Sequence, residues 1–202
     1  MARDIAARME EIVGAPPRLQ PLAEAELGAR EWKLIHRLRE IVAIPLDAPV
    51  HPLLATLCRH PEFFFSFMQP GLQFMTVGSL SPRDRELAIL RTGWLCGAPY
   101  EWGEHVASAK RIGITSEEIE RITQGSKATG WSEDDRAILK AAEELHADAM
   151  ISDETWALLS HRLDERQLIE LPMIVGHYHK AAFVQNSLRF ALRPNNPGLA
   201  AR

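Results

Sequence analysis

Glu101 and His105 stand four residues apart in "CGAPYEWGEH", residues 96–105. On a helix that spacing puts both side chains on one face within reach of each other. A carboxylate beside an imidazole fixes its tautomer and raises its basicity, which makes a general acid/base unit. The same pair on an open surface is only a weak helix-stabilising contact. The segment also holds Cys96, Tyr100, Trp102 and Glu104. Tyr100 is a candidate proton or hydrogen-bond donor. Cys96 precedes the start of a helix, where unpaired N–H groups and the dipole favour a thiolate; a small buried thiol is the plainer alternative. Glu86 lies further back, twelve residues before Ala98. A tight turn between two antiparallel helices would let it face the start of the second.

These side chains depend on a helix break at Gly97-Ala98-Pro99. Glycine is permissive, the residue before proline leaves the helical region, and proline suits a first helical turn. The preceding helix is announced by "SPRD", with Ser81 as N-cap, Pro82 at the first position and Asp84 in the first turn. "TSEE" at 115–118 has the capping-box pattern and "SEDD" at 132–135 a weaker form of it. Apolar residues recur at three- and four-residue steps almost throughout, and no alternating run reads as a strand. The expected fold is all-α, about eight helices: 3–13, 29–43, 50–58, 61–77, 82–95, 99–112, 115–124 with 133–149, and 153–191 in two or three pieces, with a kink at Pro172. One domain spans 1–202, with a helical extension over 1–60, a core over 61–192 and a loose tail over 193–202.

Charge and composition narrow the partners. Charged residues are 25% of the 202, the net charge is −4, and no Lys/Arg run occurs, which argues against nucleic acid or an anionic membrane. No apolar run reaches the roughly 18 residues of a membrane span, and "MARDIAARMEEIV" has no signal-peptide core. Cys58 and Cys96 alone make no disulfide framework, so the chain reads as cytoplasmic. Metal ligation is not expected: "EWGEH" lacks a second His at zinc-site spacing, and His177 and His179, two apart, point to different faces. Nor is a cofactor expected. His177 is a candidate for the site, otherwise a core or interface histidine. The aromatics of "FFFSFMQPGLQFM" (63–75) belong mostly to the core, with some left for an apolar pocket or a subunit contact.

The run "RDRELAILRTGWLCGAPYEWGEHVASAKRIGITSEEI" resembles the core of the carboxymuconolactone decarboxylase and AhpD-like alkylhydroperoxidase superfamily. "LIELPMIVGHYHKAAFV" is similar to the closing helix of its longer members. The resemblance maps a Glu onto Glu86 and a His onto His105. The two cysteines of the redox branch fall on Ala98 and Glu101, so both are missing here. What remains looks like the "YEW…H" branch, which the resemblance implies is all-helical and forms trimers or hexamers.

Without the cysteine pair, the resemblance implies cofactor-free decarboxylase-like chemistry on a small organic acid or lactone. His105 would be the acid/base, Glu86 would orient or relay, and Glu101 and Tyr100 would assist. Trp102, Arg91 and His177 would contact substrate, with Arg85 or Arg91 supplying positive charge; the plainer reading of Arg91 is an ordinary surface charge. A thiol peroxidase using Cys96, with Cys58 or an external thiol to resolve it, is the alternative. A non-catalytic binding scaffold is the third. Aromatics around 63–75 and 177–190 point to a homo-oligomer (dimer, trimer or dimer of trimers).

Overall fold

The computed structural model describes residues 4–202. Among them the only regular elements are helices: α1 (Ile5–Val13), α2 (Ala29–Val42), α3 (Pro52–Leu57), α4 (Pro61–Thr76), α5 (Pro82–Leu95), α6 (Pro99–Arg111), α7 (Ser116–Gln124), α8 (Glu133–Asp148), α9 (Asp153–Ser160) and α10 (Glu165–Leu188), with two short 3-10 turns. The expected start of α1 at residue 3 lies outside the described residues.

The local rules hold where they were clearest. Ser81 Oγ accepts the Asp84 N–H at 3.1 Å and starts α5. The chain leaves α5 through Gly97 at φ +54°, a left-handed value that a side chain would strain. Ala98 is extended and Pro99 opens α6. Thr115 and Glu118 close a reciprocal capping box on α7.

Helix α5 is the central element and packs on α6, α8 and α10. Its Leu87, Ala88, Ile89 and Leu90 are buried on successive faces, so it has no solvent stripe. A second cluster joins Ile35 and Leu38 of α2, Leu54 of α3 and Phe64 of α4. Through α3 and α4 this N-terminal layer covers one side of the space between α6 and α10.

The 153–191 region falls into two pieces, α9 and α10, within the expected two or three, and Pro172 lies inside the 24-residue α10. One expectation is corrected: the 193–202 segment is no loose tail. Leu199 is fully buried, and Ala201 O accepts the Trp102 indole N–H at 3.1 Å. Asn196 Nδ2 donates to Tyr100 O and Glu104 Oε1 at 3.1 and 3.0 Å. It comes so close to α6 that a Cβ at Gly103 would sit 1.7 Å from Asn196 Oδ1. Ten residues rich in proline and asparagine read as irregular; their irregular backbone is fixed by side-chain bonds instead of a helical ladder.

Candidate active site

Helices α5 and α6 set Glu86 and His105 face to face, with His105 Nδ1 2.8 Å from Glu86 Oε2. One turn before His105, Glu101 Oε1 lies 3.0 Å from His105 Nε2. Both ring nitrogens therefore meet carboxylates, and both carboxylates are buried. Gln185 of α10 donates its amide to the other Glu101 oxygen. The Tyr178 ring stands edge-on to the His105 imidazole, centroids 4.9 Å apart.

Burial alone would strip the charge from His105, but the flanking carboxylates of Glu86 and Glu101 outweigh it and raise its pKa to about 10. His105 is thus an imidazolium at neutral pH, donating through both N–H groups. The cluster sets two acidic side chains against one imidazolium, with no second cation among the residues that touch it.

The cluster opens onto a cavity of about 250 Å³. Its apolar wall comes from Leu53 of α3 and Phe67, Met68, Leu72 and Met75 of α4, and its polar wall from Tyr100, Glu101, Glu104, His105, His177, Tyr178 and Gln185. Among these lining residues there is no arginine or lysine. Burial, with Lys180 nearby, pushes His177 down to about 4, so it is neutral; its Nδ1 is buried and unpartnered. Burial and the neighbouring acids hold both tyrosines above their usual range, so both are phenols.

Tyr100 has a partner that the sequence did not point to. His51, the N-cap of α3, accepts the Leu53 N–H on Nδ1 at 3.1 Å. Burial and Arg193 lower its pKa, so it is neutral and its proton sits on Nε2. That Nε2 lies 3.0 Å from the Tyr100 oxygen, which accepts. The Tyr100 O–H is left to donate toward the cavity.

Of the residues singled out from sequence, Glu86, Glu101, His105 and Tyr100 come together, with His177 on the same cavity. Three do not. Trp102 is wholly buried against Trp94 and the C-terminal segment. Arg91 is tied to Glu143 Oε1 at 2.9 Å and to the carbonyls of Ile122 and Thr123, so it locks α5 to α7 and α8. Cys96 packs with Ala98 and Ala182 and is outside the cavity lining. Arg85 donates to the Phe74 carbonyl and supplies no charge to the cavity either. The other thiol, Cys58, is buried in the N-terminal cluster, where burial pushes its pKa up to about 11. Sequence reasoning missed His51, Tyr178 and Gln185. Only the His-Pro step at 51–52, a helix-start signal, marked one of them.

Fold and site together define a helical scaffold of the AhpD type, with a buried carboxylate–imidazole–carboxylate cluster beside a small cavity. Residues 61–144 match the model of the carboxymuconolactone decarboxylase family. Over that stretch the chain is similar to this family, and its fold is like that of AhpD-type proteins. No curated protein matches it in sequence. Several solved structures share the fold. An uncharacterised peroxidase-related protein from Silicibacter sp. TM1040 superposes with a TM-score of 0.71 at 16% identity, covering 90% of this chain and 94% of its own. A cysteine-to-alanine variant of the debrominase Bmp8, in complex with 2,3,4-tribromopyrrole, gives 0.70 at 12% identity, covering 88% and 92%. ATU0492 from Agrobacterium tumefaciens, a protein of unknown function provisionally assigned to AhpD antioxidant defence, gives 0.63 at 17% identity, covering 68% and 94%. Among the described residues no helix is long and apolar enough to cross a membrane.

Proposed function

We propose that the chain is a cofactor-free enzyme of the decarboxylase-like kind, moving a proton on a small uncharged lactone or related carbonyl compound. One observation carries this reading: both ring nitrogens of His105 are engaged by buried carboxylates, and one of these, Glu101, lines the cavity. With Nε2 occupied, His105 is the charged relay, and Glu101 is the group placed to meet substrate. Glu101 takes a proton from a carbon next to the substrate carbonyl. The C–H electron pair moves into the carbonyl and forms an enolate. The Tyr100 O–H donates to the enolate oxygen, and Glu101 returns the proton to the same or another carbon. His105 balances Glu101 while it is ionised, and Glu86 fixes the ring.

The charge of the cavity lining supports an uncharged substrate over an organic acid. An organic acid would bring its carboxylate against the acidic side chains of the cluster, with no arginine or lysine in the lining to meet it. A neutral lactone or ketone meets apolar side chains and phenol donors. The test is exchange in heavy water. Small unsaturated lactones and cyclic ketones are incubated with the protein, and loss of the α-proton signal is followed by NMR. Enzyme-dependent exchange or migration of the double bond supports the reading. No exchange anywhere in the panel counts against it.

We propose further that the chain assembles with copies of itself. Phe63 and Met75 on α4, Val77 just after it, and Ile169, Met173 and Phe183 on α10 are each more than half exposed. Apolar groups so placed on two adjoining helices favour a symmetric interface. Light scattering at micromolar concentration is expected to give a multiple of the 22.7 kDa chain mass. A mass equal to one chain would overturn the proposal.

A further inference from the structure

A second group of reactive side chains lies outside the cavity lining. Cys96 at the end of α5, His146 in the last turn of α8 and His179 in the middle of α10 present Sγ and ring-nitrogen atoms that all lie within 4.8 Å of one another. His146 Nδ1 is 2.8 Å from His179 Nε2. On its other side, His179 Nδ1 is 2.8 Å from the Val175 carbonyl, to which it donates. That bond fixes the tautomer and leaves the Nε2 lone pair directed into the group. Histidines that ligate metals are held in this way, with the remote N–H on a backbone carbonyl or carboxylate.

A thiol and two imidazoles form a donor set for a borderline-soft ion, zinc before magnesium or calcium. With bonds of about 2.3 Å to sulfur and about 2.0–2.1 Å to nitrogen, a tetrahedral zinc site spaces its donor atoms about 3.3–3.6 Å apart. The observed separations, 2.8 Å between the histidines and up to 4.8 Å across the group, bracket that spacing. Side-chain rotation closes the difference. Sequence gaps of fifty residues from Cys96 to His146 and thirty-three from His146 to His179 leave no local motif, so the pattern was invisible before folding.

We infer that Cys96, His146 and His179 bind one zinc ion per chain, with water in the fourth position. His146 is exposed, so the ion has an entry path. On binding, the Cys96 S–H bond breaks, its proton goes to solvent, and a sulfur–zinc bond forms. His179 gives its Nε2 lone pair and keeps its proton on Nδ1. His146 moves its ring proton from Nδ1 to the outer nitrogen and gives the Nδ1 lone pair. One proton is released per ion, so affinity rises with pH. The bound ion ties the α5–α6 corner to α8 and α10. It also occupies the Cys96 thiol, so the zinc-loaded chain has no reactive sulfur there.

The experiment uses the full chain stripped with a chelator and titrated with Co²⁺, then with Zn²⁺ against a chromogenic chelator. Expected are one equivalent of Co²⁺ with a thiolate-to-cobalt charge-transfer band, displacement by Zn²⁺, and one proton released per ion. C96S abolishes the band. H146A, at an exposed position that leaves the fold intact, weakens zinc by more than the roughly 10–100-fold that losing an outer hydrogen-bonding partner costs. E101Q binds zinc as the wild type does, which separates this group from the acid/base cluster. No uptake, uptake without the charge-transfer band, or affinity unchanged in H146A overturns the inference. Each result is independent of the proposed proton-transfer activity.

Discussion

Glu101→Gln lowers kcat by roughly 10²–10⁴-fold, the range a positioned general base contributes, and leaves KM nearly unchanged. The substitution keeps the side chain's shape and its oxygen for the Gln185 amide, but it removes the basic oxygen on the cavity wall. The remaining cluster then sets one acid, Glu86, against the His105 imidazolium and takes no proton from substrate. Steady-state rates and deuterium wash-in on a lactone that the wild type exchanges give the measurement. A variant with wild-type kcat would remove Glu101 from the reaction and leave the cavity as a binding site.

The charged His105 has a second consequence, for stability. In the unfolded chain an imidazole titrates near 6.5, while in the folded chain its pKa is about 10. Below about pH 6.5 it is protonated in both states, and the carboxylates' stabilisation of the cation is fully present. Between the two values folding takes up a proton, so stability falls as pH rises and is gone above about 10. His105 is largely shielded from solvent, with 12% of its side chain exposed, and the expected loss is on the order of 3–5 kcal/mol across that window. The reference is the triple variant Glu86→Gln/His105→Gln/Glu101→Gln, which lacks the cluster's charges. Denaturant midpoints of wild type and variant from pH 6.5 to 10 should converge or cross as the wild type loses its advantage. Parallel curves would mean that His105 is neutral in the folded protein.

The parts of this site legible in sequence were those fixed by local chemistry. Ser81 and Pro82 set where α5 starts, Gly97 to Pro99 set where it stops, and the four-residue step set Glu101 beside His105. Glu86 followed because the α5–α6 turn is short enough to fix the facing. His51, Tyr178 and Gln185 come from α3's cap and from α10, and no periodic pattern gives the register of one distant helix on another. Arg91 and Trp102 show the opposite difficulty. On helices buried nearly all round, the polar or aromatic residue does not mark the site face. Arg91 faces α7 and α8, and Trp102 faces the C-terminal segment. Pro172 lies inside α10, where one missing hydrogen bond in 24 residues is tolerable in a packed helix.

The clasp of residues 196–201 on α6 bears on the order in which the molecule is assembled. Its contacts join positions nearly a hundred residues apart: Trp102 with Ala201, and Tyr100 and Glu104 with Asn196. Local helices form quickly, whereas closing so long a loop is slow and entropically opposed until the far partner is present. Helices α5 and α6 can pair as soon as they are made, but the outer face of α6 stays wet until residue 201 has left the ribosome. The helix carrying Glu101 and His105 is therefore among the last to acquire its final surroundings, although it lies in the middle of the chain.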